Sequence, residues 1–185
     1  MILLSVGTQL PFDRLVGAVD RWAEARGRDD VVAQIGPTTY RPRALQAFAH
    51  ADHDRFRELQ AECALMVSHA GTGSIIAAME LGKPIIIMPR DHRRGEHRNG
   101  HQLATLREFG TRQGVYPAED EATLVDLLDR ADSLQGCPCL TPRAPADFVA
   151  HLAAHVRAPS PPTLVRRIRN LWQGSTISGQ VGPWN

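Results

Sequence analysis

Ile85-Ile86-Ile87-Met88 is an unbroken apolar run, entered through Gly82 and Pro84. A run without polar alternation suits a strand covered on both faces. Such strands belong to parallel sheets, whose crossover helices pack on either side. The rest of the chain repeats the pattern. Short apolar runs at Ile2–Val6, Val31–Ile35, Leu45–Phe48, Ala64–Ser68, Pro84–Met88 and Gly114–Tyr116 alternate with helix-like stretches near Phe12–Arg26, Asp54–Glu62, Ser74–Leu81, Asn99–Phe109 and Glu121–Ala131. In Phe12–Arg26 the residues Leu15, Val16, Val19, Trp22 and Ala23 fall on one face at helical spacing. Gly82 stands where the Ser74–Leu81 helix needs a left-handed terminator. The alternation predicts an α/β fold, a Rossmann-like and mainly parallel sheet with helices on both faces.

The chain of 185 residues accommodates one such domain, expected over 1–135, and a C-terminal tail over 136–185 where prolines become frequent. The tail carries a helix-like segment Ala146–Val156. After Pro159–Pro162 comes a basic stretch in which Leu164, Val165, Ile168, Leu171 and Trp172 share one helical stripe, opposite Arg166, Arg167 and Arg169. A short basic helix of that kind can dock on a partner or touch a lipid surface, or pack on its own domain. A net charge of +1 gives no global field for nucleic acid. Cys63, Cys137 and Cys139 lack zinc or redox spacing. The opening residues have no basic region or span-length apolar stretch, so a cytoplasmic protein is expected, with peripheral membrane contact left open.

In an open α/β sheet, ligands bind outside the carboxyl ends of the strands. Two loops there suit an anion. One is Val6-Gly7-Thr8-Gln9 after the first strand; the other is Ser68-His69-Ala70-Gly71-Thr72-Gly73-Ser74, between a strand and a helix. Gly71 and Gly73 permit close backbone approach, Thr72 and Ser74 supply hydroxyls, and the next helix points its unpaired N–H groups at the same place. That pattern makes a diphosphate cradle, and it equally makes a tight strand–helix turn capped by Ser74. No lysine follows the second glycine and no G-x-G-x-x-G opens the chain, so neither a Walker A nor a dinucleotide fingerprint is present.

Ser68-His69-Ala70-Gly71-Thr72-Gly73-Ser74, Glu80-Leu81-Gly82-Lys83-Pro84 and His101-Gln102-Leu103-Ala104, in that order, resemble the C-terminal domain of glycosyltransferase family 28 over roughly Ile2 to Val125. Val6-Gly7-Thr8 and Phe12-Asp13 resemble the opening of the small donor-binding subunits in two-component lipid-linked sugar transferases, among them the dolichol-linked N-acetylglucosamine transferase. Gly95–Gln102 is similar to bacterial exopolysaccharide subunits that act as glucuronosyltransferases beside a membrane-anchored partner. The resemblance implies one half of a GT-B fold, a UDP-sugar as substrate and no cofactor. It further implies inverting, metal-independent transfer to a lipid-diphosphate-linked saccharide, completed by a partner at the inner face of the cell membrane. By position, Gly71–Ser74 would hold the diphosphate, with Gly7, Thr8 and Gln9 opposite and His69 and Ala70 beside it. Asn99, His101 and Gln102 would approach the sugar. One departure stands out: the family's ribose-binding glutamate falls on Ala77 here, and Glu80, one helical turn on, is the substitute on the same face.

His69 reads either as a donor-site residue, the one candidate for catalysis, or as a hydrogen-bonded structural histidine. His92, His97 and His101 lack a carboxylate to complete a metal set, so no metal site is expected. Asp52-His53-Asp54 reads as helix capping rather than as a metal-binding D-x-D. Arg90, Arg93, Arg94 and Arg98 against Asp91 and Glu96 leave a local net charge of +2, suited to screening an anionic ligand or to a solvated loop. Two other functions fit the same residues: a non-catalytic nucleotide-sugar-binding or scaffold subunit, and an epimerase of the UDP-N-acetylglucosamine 2-epimerase type. The latter needs two fused domains and acidic catalytic residues.

Overall fold

Every apolar run forms a strand in the computed structural model, which describes residues 1–140 and 144–157. Strands β1 (Ile2–Ser5), β2 (Val31–Gln34), β3 (Gln46–Phe48), β4 (Leu65–His69), β5 (Ile85–Met88) and β6 (Val115–Pro117) make one six-stranded sheet in the order β3-β2-β1-β4-β5-β6. Every pairing is parallel, with Ile2 opposite Val31 on one side and Leu65 on the other. The connections are α1 (Asp13–Arg26), α2 (His53–Glu62), α3 (Thr72–Glu80), α4 (His101–Phe109) and α5 (Glu121–Asp129). The Rossmann-like class expected from sequence is therefore the one observed.

Continuous apolar strands serve two cores at once. Leu4, Val67, Ile86 and Met88 point to the side of α1 and α5, against Leu15, Val19, Trp22 and Leu124. Their neighbours Leu3, Met66, Ile85 and Ile87 point to the other side, against Leu59, Ile75, Met79 and Leu106. Alternate residues facing opposite ways is the strand's period of two, and both faces are covered. The Gly82 terminator is also as expected: it has φ +64 and bonds Met79 while Lys83 N donates to the Ala78 carbonyl at 2.9 Å.

The connection between β2 and β3 is held by a charge inside α1. Asp20, 1% exposed, accepts from the Tyr40 hydroxyl and from the backbone N–H groups of Arg43 and Ala44 at 2.9 Å each. A first compact unit spans Met1–Pro142. Leu140 N donates to the Met79 carbonyl, and Cys137 is buried beside Lys83. In the second unit a helix α6 (Ala146–Arg157) is described, with Phe148, Val149, Leu152 and Val156 exposed. The expected basic helix over 163–172 lies outside the described residues. Among the described residues no helix is long and apolar enough to cross a membrane.

Candidate functional site

The strand order reverses direction between β1 and β4, and a crevice opens outside the carboxyl ends of those two strands. Three loops meet there: Val6–Pro11 after β1, Ala70-Gly71 after β4, and Pro89–Gly100 after β5. The β4 loop is shorter than the sequence suggests, because α3 begins at Thr72 rather than Ser74. Gly71 is its N-cap, no side chain caps it, and the first helical bond runs from Ile75 N to the Gly71 carbonyl. Helix geometry therefore leaves the N–H groups of Thr72, Gly73 and Ser74 without helical partners at the positive end of the helix dipole. Ser74 is not the cap. Its hydroxyl lies 3.0 Å from that of Ser68, which in turn lies 2.9 Å from the Ser5 carbonyl, so the pair ties β4 and α3 to β1.

His69 fills the space between the two glycine loops. Its Nδ1 lies 3.3 Å from the Ser68 hydroxyl. A Cβ on Gly7 would come within 3.1 Å of the ring, and one on Gly71 would collide with it outright. The sequence reading gave Gly71 to the ligand, but its missing side chain makes room for His69. Gly73 differs, with nothing within 4 Å of its absent side chain, so its open side is available to a ligand. Burial, with the Arg90 charge adding to it, pushes the His69 pKa down to about 4, and the imidazole is neutral at neutral pH.

Arg90 holds the β1 loop in place. It is 3% exposed, and its guanidinium donates to the carbonyls of Val6 (2.6 Å), Leu10 (2.8 Å), Pro11 and Glu96. The Phe12 ring lies beneath it, 4.6 Å from centroid to guanidinium carbon. Glu96 ties the loop after β5 to α1: its carboxylate accepts a forked pair of bonds from Arg14 (2.7 and 2.8 Å) and one from Asp91 N (2.7 Å). Arg90 is thus not part of a solvated cationic loop, and Asp91 pairs with Arg93 at 3.3 Å.

Two cavities flank the Gly7-Thr8 turn, which lines both. One, of about 310 Å³, is bounded by Gln9, His69, Arg90, His97 and Gln102. The other, of about 470 Å³, is bounded by Gln34, Ala51, Asp52, Phe56, Gln60, Gly73, Ser74 and Ala77. Gln34 is fully engaged in holding the rim. It accepts from Ser5 Oγ (3.3 Å) and donates to the carbonyls of Gly7 (3.1 Å) and Ala49 (3.0 Å).

Residues 1–133 match the glycosyltransferase family 28 C-terminal domain. The chain belongs to that family. It is 28% identical over 157 residues to the "UDP-N-acetylglucosamine transferase subunit ALG13" of Mus musculus, a match covering 75% of this chain but only 13% of that protein. The fold is similar to the NMR solution structure of ALG13, with a TM-score of 0.50 at 18% identity, covering 82% of this chain and 93% of that one. A crystal structure of the glycotransferase of kitacinnamycin aligns at a TM-score of 0.47 and 16% identity, over 93% of this chain and 42% of that one.

For a family 28 domain, the residues singled out from sequence separate clearly. Gly7, Thr8, Gln9, His69, Gly73, Ser74 and Gln102 line the two cavities, while Ala70 and Gly71 connect β4 to α3, which Thr72 begins. Gln102 is buried, with its carbonyl taken by Arg90 N at 3.0 Å, which leaves only its amide nitrogen for a ligand. Glu80 does not reach either cavity. It lines a neighbouring groove between α2 and α3, which Ala77 shares. Asn99 and His101 stand exposed at the start of α4, where the Asn99 side chain accepts from His101 N at 3.3 Å. Asp52 caps α2 by accepting from Arg55 N at 2.8 Å, as expected over the D-x-D reading. Among the described residues no three His, Cys, Asp or Glu side chains come close enough to hold a metal.

Proposed function

We propose that the chain binds a UDP-sugar across the two cavities and transfers the sugar, beside a membrane-anchored partner, to a lipid-diphosphate-linked saccharide in polysaccharide biosynthesis. One observation carries the reading. The N–H groups of Thr72, Gly73 and Ser74 lack helical partners, and Gly73 and Ser74 line the larger cavity, with empty space where a side chain on Gly73 would stand. A diphosphate lies against that helix start, with its charge met by backbone amides and the helix dipole. The nucleoside occupies the larger cavity, where Phe56, Ala51 and Ala77 offer apolar surface to a base. The sugar occupies the smaller one, where Thr8, Gln9, His97 and Gln102 offer polar groups to hydroxyls.

In the transfer, an acceptor oxygen attacks the anomeric carbon from the face opposite UDP. The carbon–oxygen bond to UDP breaks with its electron pair, the configuration inverts, and the acceptor's proton passes to a base that we place on the partner. The amides and dipole of α3 stabilise the departing diphosphate without requiring a metal. His69, neutral and enclosed, shapes the turn and adds no charge to it. The partner half completes a GT-B enzyme and brings this one to the cytoplasmic face of the membrane. The mouse relative's name describes a subunit. The resemblance of Gly95–Gln102 makes glucuronic acid the sugar to test first.

Purified chain, with and without its membrane partner, is to be given a panel of UDP-sugars and a lipid-diphosphate saccharide. Transfer only when both chains are present is expected. Transfer by this chain alone refutes the division of labour, and failure of the chain to bind UDP refutes the donor site.

A further inference from the structure

This inference rests on the donor-site reading and names the group that would read the ribose. Phe56, Leu59, Gln60 and Cys63 share the inward side of α2 at helical spacing, and Leu59 and Cys63 lie in the core. Gln60 alone among them carries a polar side chain. It is 8% exposed, yet among the described residues neither end of its amide has a hydrogen-bond partner in the protein. No buried side-chain nitrogen or oxygen there is sealed away unpaired, so the amide opens onto the space that Gln60 lines. Gln60 lines the larger cavity and also the neighbouring groove, with Ala77 common to both. An amide that opens there without a protein partner keeps both its donor and its acceptor for a ligand. Gln34, in the same cavity, has no such capacity left, because the rim uses both ends of its amide. Ala77 presents only a methyl group, and nothing at that position of α3 competes.

We infer that Gln60 recognises the ribose of the bound nucleotide, its amide nitrogen donating to one of the neighbouring 2′ and 3′ hydroxyls and its carbonyl accepting from the other. A neutral amide complements a pair of hydroxyls, each both donor and acceptor. It also places no negative charge beside the diphosphate, as a carboxylate there would. The ligand class is a ribonucleoside diphosphate, distinguished from its 2′-deoxy counterpart.

The test is isothermal titration of UDP, 2′-deoxy-UDP and inorganic pyrophosphate into the wild-type chain, Gln60→Leu and Gln60→Met. The methionine variant keeps the length of the side chain, should leucine fail to fold. The wild type is expected to bind UDP about ten-fold more tightly than 2′-deoxy-UDP, the loss of one hydrogen bond with its partner left stranded. Whichever variant folds should bind the two nucleotides equally, with pyrophosphate unchanged. A wild type that does not discriminate, or a variant that still does, overturns the assignment of Gln60 while the donor site stands. No binding of UDP by the wild type overturns both.

Discussion

Replacing Arg90 with methionine keeps an unbranched stem over Phe12 and removes the forked donor group. The structure sets the size of the loss. Three carbonyls, those of Val6, Leu10 and Pro11, lose a charged donor at short range, at about 2 kcal/mol each. Against roughly 6 kcal/mol stands the cost of burying the guanidinium. That cost offsets about half of the sum, and the same burial lowers the Arg90 pKa to about 10. The net destabilisation is about 3 kcal/mol, or a fall in Tm on the order of 10 °C for a domain of this size. The freed Gly7–Leu10 loop should also weaken UDP binding by about ten-fold. Arg90→Lys retains the charge but cannot serve three carbonyls from one planar group, and should fall between the two. Differential scanning calorimetry at neutral pH and titration with UDP measure both effects. A methionine variant melting within about 2 °C of wild type and binding UDP normally would refute the account of Arg90 as the clamp on this loop.

Gly73→Val should leave the melting temperature within a few degrees and weaken UDP at least ten-fold in titration, since the new side chain meets no protein atom but stands where the diphosphate approaches. Gly71→Ala should cost about 2 kcal/mol through its collision with the His69 ring; a His69→Ala background should remove most of that cost, and a simple additive result would contradict the packing described. His69 holds fewer protons folded than unfolded between its ordinary 6.5 and about 4, so acidification through that window should destabilise the wild type by up to about 3 kcal/mol relative to His69→Gln. Parallel pH profiles of the two proteins, followed by urea denaturation from pH 7 to pH 4, would show that the fold does not lower the pKa of this imidazole.

The parallel sheet could be read from the sequence because Ile85–Met88 and its counterparts serve two cores and carry no polar alternation. The crevice could be placed for the same reason, since strand ends locate it once the sheet is known. The start of α3 was displaced because Ser74 looks like a cap, whereas its hydroxyl binds Ser68 and a glycine without any side-chain acceptor begins the helix. Arg90 was grouped with surface charge, because a sequence shows a cation but not the carbonyls of a distant loop that surround it. Glu80 and Ala77 lie on one helix face, but only the packing of α2 against α3 shows that a wall position serves two hollows. Gln60 kept helical spacing with its apolar neighbours, and only burial distinguishes it from an ordinary polar residue on a solvated helix.

The seam between β1 and β4 also determines when the molecule becomes competent during synthesis. Ile2 finds Val31 across a single crossover, but must wait for Leu65 on its other side. That second closure spans a loop roughly twice as long and costs about 0.6 kcal/mol more in chain entropy. Until Leu65–His69 leaves the ribosome, β1 is an edge strand with a row of unsatisfied amides and carbonyls, apolar on both faces. A nascent chain stalled in that interval presents a pairing template for other chains, and the later arrival of β4 both removes the template and builds the mouth of the crevice. Slow translation just before Leu65 would therefore cost yield through aggregation, while the same pause after Pro117, once β6 can cover β5, would not.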